Sequence, residues 1–111
     1  MTTVTIFPRN AIILDPSDVR IVVFDWDDDN LATSVEISTS TFTITTVTQN
    51  GATILTKDNP SILTGNRKTQ VRLIATTATA GDVYELANTI VTNESPTQTK
   101  EQSIRVLVQD R

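Results

Sequence analysis

Gly81-Asp82-Val83-Tyr84-Glu85-Leu86-Ala87-Asn88-Thr89-Ile90-Val91-Thr92 reads as a β-strand entered through a glycine turn. Successive side chains of an extended chain point to opposite faces, so Tyr84, Leu86 and Ile90 share one face and Val83, Ala87 and Val91 the other. Apolar residues on both faces place this strand inside a core. Tyr84 follows the turn closely, where a tyrosine buries its ring and returns its hydroxyl to nearby backbone, as in the tyrosine corner of Greek-key sandwiches. A lone aromatic that simply fills a core position is the competing reading, and periodicity does not separate the two.

Strands flank this one on both sides. Thr69–Thr76 directs Val71, Leu73 and Ala75 inward; after the polar run Asn93–Glu101, Gln102–Val108 sets Ile104, Val106 and Val108 against Ser103, Arg105 and Leu107. Val19–Asp25 carries Val19, Ile21 and Val23 on one face and Arg20, Val22 and Phe24 on the other, the mark of a central strand. Near the N-terminus, Val4–Phe7 is a short edge strand ended by Pro8, and Ala11–Leu14 is a second one stopped by Asp15-Pro16. Thr33–Thr39 alternates Val35 and Ile37 with Ser34, Glu36 and Ser38, and Phe42 and Ile44 repeat the pattern in Thr41–Thr48. Gln49-Asn50-Gly51 separates that strand from Ala52–Thr56. Asn-Gly supplies the positive φ angles of a type I′ turn, so a hairpin is expected there. Lys57–Lys68, with Asn59-Pro60 and Gly65-Asn66, is expected to be a loop with room for a short strand. Seven to nine such strands, with no stretch of helical period, predict a single all-β domain over residues 1–111, a sandwich of two antiparallel sheets in which 1–14 forms an edge strand or arm.

Composition agrees with this reading. The chain holds 21 Thr, 11 Ile and 11 Val, together 43 of its 111 residues. Such side chains are stiff at χ1, crowd a helix and pack well on a pleated surface. There is no His and no Cys. This excludes a Ser-His-Asp triad, a cysteine nucleophile, a His-ligated metal and a zinc finger. The net charge of −4, with basic residues scattered singly apart from Arg67-Lys68, argues against binding a nucleic-acid backbone. Only five aromatics are present, Phe7, Phe24, Trp26, Phe42 and Tyr84, too few to fill a core and also line a sugar-binding cleft. Trp26 is expected in the core or plugging a strand end, with a partner-facing hot spot as the minority reading. No enzyme is expected.

Charge is unevenly distributed. Asp15, Asp18, Asp25, Asp27, Asp28, Asp29 and Glu36 oppose only Arg20, so residues 15–36 carry −6. Within that segment Asp25, Asp27 and Asp29 stand at i, i+2 and i+4, and Glu36 is twelfth counted from Asp25, the ligand spacing of a calcium loop. The pattern is incomplete. Asn30 stands where such a loop needs a sharply turning glycine, Ala32 replaces the apolar anchor, and both flanks read as strands. The plain alternative is a solvated acidic corner that discourages edge-to-edge association.

Four segments together resemble a known family: Asp15-Pro16; the strand ending Phe24-Asp25-Trp26; Thr79-Ala80-Gly81-Asp82-Val83-Tyr84 with Asn88 and Ile90 after it; and the closing Gln102-Ser103-Ile104-Arg105-Val106-Leu107-Val108. They are similar to the small immunoglobulin-like proteins encoded among tailed-bacteriophage structural genes, some of them fiber-tail adaptor proteins. The resemblance implies an immunoglobulin-like β-sandwich that serves as a virion structural or adaptor protein in the tail, fiber or head-tail region. Its implied partners are other virion proteins, with a homo-oligomer an open expectation and neither nucleic acid nor membrane among them. Met1-Thr2-Thr3-Val4 lacks the basic-then-apolar pattern of a signal peptide, and no apolar run reaches membrane-spanning length, so the virion, or the host cytoplasm during assembly, is the expected location. The alternative function is a calcium-dependent or glycan-binding sandwich module. Calorimetry separates the two: an ion held by the acidic corner raises the unfolding midpoint on calcium addition by mass action, and Asp27→Asn with Asp29→Asn removes the shift. A midpoint indifferent to calcium and chelator leaves the corner a solvated loop.

Overall fold

A computed structural model describes residues 3–5, 11–26, 31 and 34–110. Among these residues eight strands make up nearly all of the regular structure: β1 (Thr3–Thr5), β2 (Ala11–Leu14), β3 (Val19–Asp25), β4 (Ile37–Thr48), β5 (Thr56–Ile62), β6 (Lys68–Ile74), β7 (Val83–Thr92) and β8 (Thr99–Val108). A 3-10 turn at Ala75–Thr77 follows β6. One sheet has the order β1-β3-β6-β5 and the other β2-β8-β7-β4. With β3 to β8 taken as strands B to G, this is the immunoglobulin order, B-E-D facing G-F-C. The N-terminal strand is divided between the sheets, β1 pairing β3 in parallel and β2 pairing β8 in parallel. All remaining pairings are antiparallel. No helix among the described residues is long and apolar enough to cross a membrane.

Alternation marks the inward faces of β6 and β8, and on β3 and β7, where both faces read as apolar, the structure selects one. Val22 and Phe24 of β3, Val71 and Leu73 of β6, Tyr84, Leu86 and Ile90 of β7, and Ile104, Val106 and Val108 of β8 are all buried. Phe24 meets Phe42 edge to face across the sheets, ring centroids 5.8 Å apart at 68°, the geometry that the aromatic quadrupole favours. Trp26 lies in the same core, fully buried.

Four local expectations are corrected. Asn50-Gly51 forms no type I′ turn, because neither residue has a positive φ. β4 pairs with β7, and the chain crosses from one sheet to the other through 49–55 before β5 begins. The Asn50 N–H is taken by the Asp82 carboxylate at 2.7 Å, and a Cβ on Gly51 would lie 2.0 Å from Thr79 Oγ1. This glycine therefore serves close loop packing and not turn formation. The segment 57–68 is largely strand. Asn59, at φ 51°, and Pro60 occupy a bulge between Asp58 and Ser61 on an edge strand, where a missing N–H is harmless. Asp58 faces Arg72 across the ladder and accepts from its Nε at 2.7 Å and its Nη2 at 2.5 Å. Finally, the strand expected at 33–39 joins the next to form the single twelve-residue β4, bulged between Ile37 and Thr39; Thr33 lies outside the described residues, as do Ile6 and Phe7 of the first expected strand. The closing strand begins earlier than expected, at Thr99.

Asn88 sits at the centre of the sandwich with both ends of its amide in use. Its Oδ1 accepts from Trp26 Nε1 at 2.8 Å and Thr69 Oγ1 at 2.6 Å, and its Nδ2 donates to Ser40 Oγ at 2.9 Å and the Thr41 carbonyl at 3.1 Å. Thr69 on β6 and Trp26, just past the end of β3, reach it from the opposite sheet, whereas Ser40 and Thr41 lie on β4, the neighbour of its own strand β7. Asn88→Ala strands the buried Trp26 and Thr69 donors and opens a cavity, so denaturant unfolding should show a loss of about 3 kcal/mol. Trp26→Phe should cost less, about 1–2 kcal/mol, and the double variant less than the sum of the two, because the indole donor and its acceptor belong to one network.

Candidate functional site

The connections between strands gather at the two ends of the sandwich, and one charged side chain organises each end. At the first end the β3–β4, β5–β6 and β7–β8 connections meet. Gly65 (φ 95°) and Asn66 (φ 56°) turn the chain before β6, and Arg67 follows. Its Nη1 donates to the Val35 carbonyl at 2.7 Å and its Nη2 to the Leu31 carbonyl at 3.0 Å, so the rigid guanidinium fork spans the β3–β4 connection. The Arg67 carbonyl accepts from Trp26 N at 3.1 Å, and the Asn66 carbonyl from Ile37 N at 2.8 Å. Glu36 and Asn93 are joined reciprocally: Glu36 N donates to Asn93 Oδ1, and Asn93 N to the Glu36 carbonyl, each at 2.9 Å. Asn66 Nδ2 reaches Glu36 Oε1 at 3.3 Å. Gln98 is fastened to Thr92 by two bonds, closing the β7–β8 loop.

Of the residues with calcium-loop spacing, Asp25 ends β3, with Lys68 Nζ of the adjacent strand 3.9 Å from its carboxylate. Glu36 is exposed beside Asn66 and Asn93. Asp27 and Asp29 lie outside the described residues. Among the described residues no three carboxylates gather closely enough to hold a metal ion. The structure thus draws Glu36 together with the two polar segments that the sequence presents as separate, the turn before β6 and the run after Asn93. Sequence reasoning missed Arg67, which reads as half of a basic pair. The only hint available was its place immediately after a Gly-Asn turn.

At the opposite end Asp82 has the corresponding role. Fully buried, it accepts from Asn50 N at 2.7 Å through Oδ1, and from Thr79 N at 3.0 Å and Tyr84 Oη at 2.6 Å through Oδ2. Tyr84 Oη accepts in turn from Leu55 N at 3.2 Å. The hydroxyl therefore does reach backbone, but as an acceptor from a residue 29 positions upstream, and its own proton goes to a carboxylate. Thr53 Oγ1 donates to the Thr77 carbonyl, and Thr77 Oγ1 to the Ile54 carbonyl at 2.6 Å, completing the tie between the two loops. The described loop residues of both ends are thus held by hydrogen bonds to one another.

Against this geometry, the family described as "Podophage GP4 fiber-tail adaptor protein gp77" matches residues 14–107. The chain belongs to this fiber-tail adaptor family. No curated protein matches it. The matched span runs from the end of β2 almost to the end of β8, so it takes in β3 to β7, nearly all of β8 and both loop platforms. This is a family of phage tail structure, in keeping with the resemblance carried by the 79–92 segment.

Burial, and then the hydrogen bond to Asp82, push the Tyr84 hydroxyl up to about 12. Burial also pushes the Asp82 carboxyl up, but the bonds from Tyr84, Thr79 and Asn50 outweigh it and hold the group below the ordinary carboxylate value. A raised tyrosine stabilises the fold fully below its unfolded value near 10. That contribution, roughly 3 kcal/mol, should disappear as pH rises through about 12. The Asp82 contribution is present above pH 4 or so and is lost as pH falls through its depressed value. Circular dichroism across pH should show both limbs. Tyr84→Phe should remove the alkaline limb, move acid unfolding to higher pH, and cost about 1–3 kcal/mol at neutral pH, because the Leu55 N–H loses its acceptor.

Proposed function

We propose that the chain is a non-enzymatic virion component that links tail and fiber proteins through protein–protein contacts made by its loop platforms. The family match over residues 14–107 carries this reading, since the matched span includes strands β3 to β7, nearly all of β8 and the loops at both ends. Residue chemistry supports it. The chain has no His and no Cys, and the buried polar side chains Thr69, Asp82, Asn88 and Thr92 all make hydrogen bonds that hold the fold. Loops on a rigid sandwich are the natural carriers of recognition, and loops already ordered lose little entropy on docking.

The platform where the β7–β8 loop meets Glu36 is assigned the contact with one virion partner. Its residues Ser95 to Gln98 are exposed, and they hang between the fixed points Asn93 and Thr92–Gln98. The test is binding of the purified chain to the tail and fiber proteins of its own phage by surface plasmon resonance. Binding to both is expected, and exchange of residues 95–97 for Gly-Ser-Gly should weaken one contact by roughly tenfold or more while leaving the unfolding midpoint nearly unchanged. Binding to neither, together with particles that keep their fibers when the chain is deleted, would overturn the reading.

A further inference from the structure

The two sheets present four edges, and the chain treats one of them differently from the rest. β1 has three residues and β2 four, too short to template a neighbour. β5 carries Lys57, Asp58 and Pro60 and is broken by a bulge. Charge, proline and bulging are the devices by which an edge is closed to pairing. β4 has none of the first two. Its twelve residues, Ile37-Ser38-Thr39-Ser40-Thr41-Phe42-Thr43-Ile44-Thr45-Thr46-Val47-Thr48, include no charged residue, no proline and no glycine. They span about 40 Å at about 3.4 Å per residue. The bulges of β4 fall near its ends, between Ile37 and Thr39 and between Thr46 and Thr48, and leave Thr39 to Thr46 in regular register with β7. Among the described residues no strand pairs with the outer edge of β4. From Thr45 to Thr48 successive residues are exposed, so this end of the strand is uncovered on both faces.

We infer that β4 is a docking edge for a second copy of this chain, the two strands pairing antiparallel about a twofold axis to make one eight-stranded sheet. The strand is self-complementary in the way such an interface requires. Residues directly opposite one another in an antiparallel ladder point to the same face, so an axis at Phe42 sets Thr41 against the partner's Thr43, and Thr39 against the partner's Thr45. Each pair is threonine on threonine, a favourable cross-strand combination, and Ser40 falls opposite the partner's Ile44. No like charges meet along the ladder, although each chain carries a net −4. Pairing over Thr39 to Thr46 supplies roughly eight main-chain hydrogen bonds, close to the complement of about ten in a standard stable interface. A strand from an unrelated protein would satisfy the same backbone groups, but a second β4 also sets threonine against threonine and brings no charge to the ladder.

The inference stands apart from the loop-platform reading, and its test separates the two. Light scattering of the full chain over a concentration series should show a dimer that dissociates on dilution. Thr41 and Thr43 are exposed on the outer face, so Thr41→Lys with Thr43→Lys should leave the fold intact and yield a monomer at every concentration. Mixing that variant with a Thr41→Glu, Thr43→Glu copy should restore a dimer containing one of each, because lysines then face glutamates. Amide exchange on the unaltered chain gives a check that needs no variant: protection over Thr39 to Thr46 should rise with concentration. A chain that stays monomeric up to about 1 mM would overturn the inference, as would a lysine variant that dimerises as well as the parent. Loss of fiber or tail-protein capture by the lysine variant, with the parent monomeric, would assign β4 to another virion protein and overturn it too. The first two failures leave the binding assay for the loop platform untouched, and the third is told apart from failure of that reading by the 95–97 exchange, which alters the loop and not β4.

Discussion

Asn88 is the constraint on which the arrangement of the two sheets depends. A β-sandwich closed by apolar side chains alone tolerates sliding, since dispersion and burial are non-directional. A buried amide does not, because each of its groups left unpaired in the interior costs about 1–3 kcal/mol. Here Trp26 and Thr69 on one sheet and Ser40 and Thr41 on the other all meet the single carboxamide. Ser40 and Thr41 lie on β4, beside the β7 strand that carries Asn88, and hold its amide in place, so any shift of the opposite sheet by a residue breaks the bonds from Trp26 and Thr69 together. The indole of Trp26 fixes more than its own position, because its backbone N–H also bonds the Arg67 carbonyl at the loop platform. Register in the core and geometry at one end of the molecule are therefore set by the same residue.

The polar pins at the two ends work by the same logic with charge in place of an amide. Arg67 bridges two carbonyls of a connection that has no ladder partner, and Asp82 takes two backbone N–H groups from loops that would otherwise bury them unpaired. Irregular backbone can lie against a sandwich end only if its donors and acceptors are used. The cost of ordering these loops is met in folding, so a partner that docks on them need not supply it.

The strands were legible because burial imposes a period of two on a chain in which β-branched residues are abundant. Val71, Leu73, Ile104, Val106 and Val108 could be placed inward from alternation alone, and all are buried; on β7 both faces read as apolar, and only packing makes Tyr84, Leu86 and Ile90 the inner one. What failed was local turn chemistry. Asn50-Gly51 has the composition of a tight turn, but the demand that prevails comes from Asp82 and Thr79, some thirty residues away, and pairwise demands of that kind leave no trace in a short window. Asn59-Pro60 failed for the complementary reason: residues that signal a loop also signal a bulge, and only the partner strand distinguishes them. Asn88 itself was legible as part of the family segment but not as a pin, because its partners come from three other stretches of chain. The loop platform was half visible. Glu36 and the run from Asn93 stood out as polar, but the contacts joining them are long-range.

Threonine explains how such a molecule exposes so much sheet without collapsing into aggregates. Isoleucine or valine at Thr39, Thr41, Thr43 and Thr45 would give the same stiffness at χ1 and the same β propensity, but would turn the outer face of β4 into an apolar stripe beside Ala87 and Val91. A hydroxyl keeps that face wetted, so any association must be gained from backbone pairing and register instead of from indiscriminate burial. Association of that kind is weak per copy, reversible and demanding in orientation. Those are the properties that suit a part built into a larger particle, where wrong contacts must come apart before the right ones accumulate.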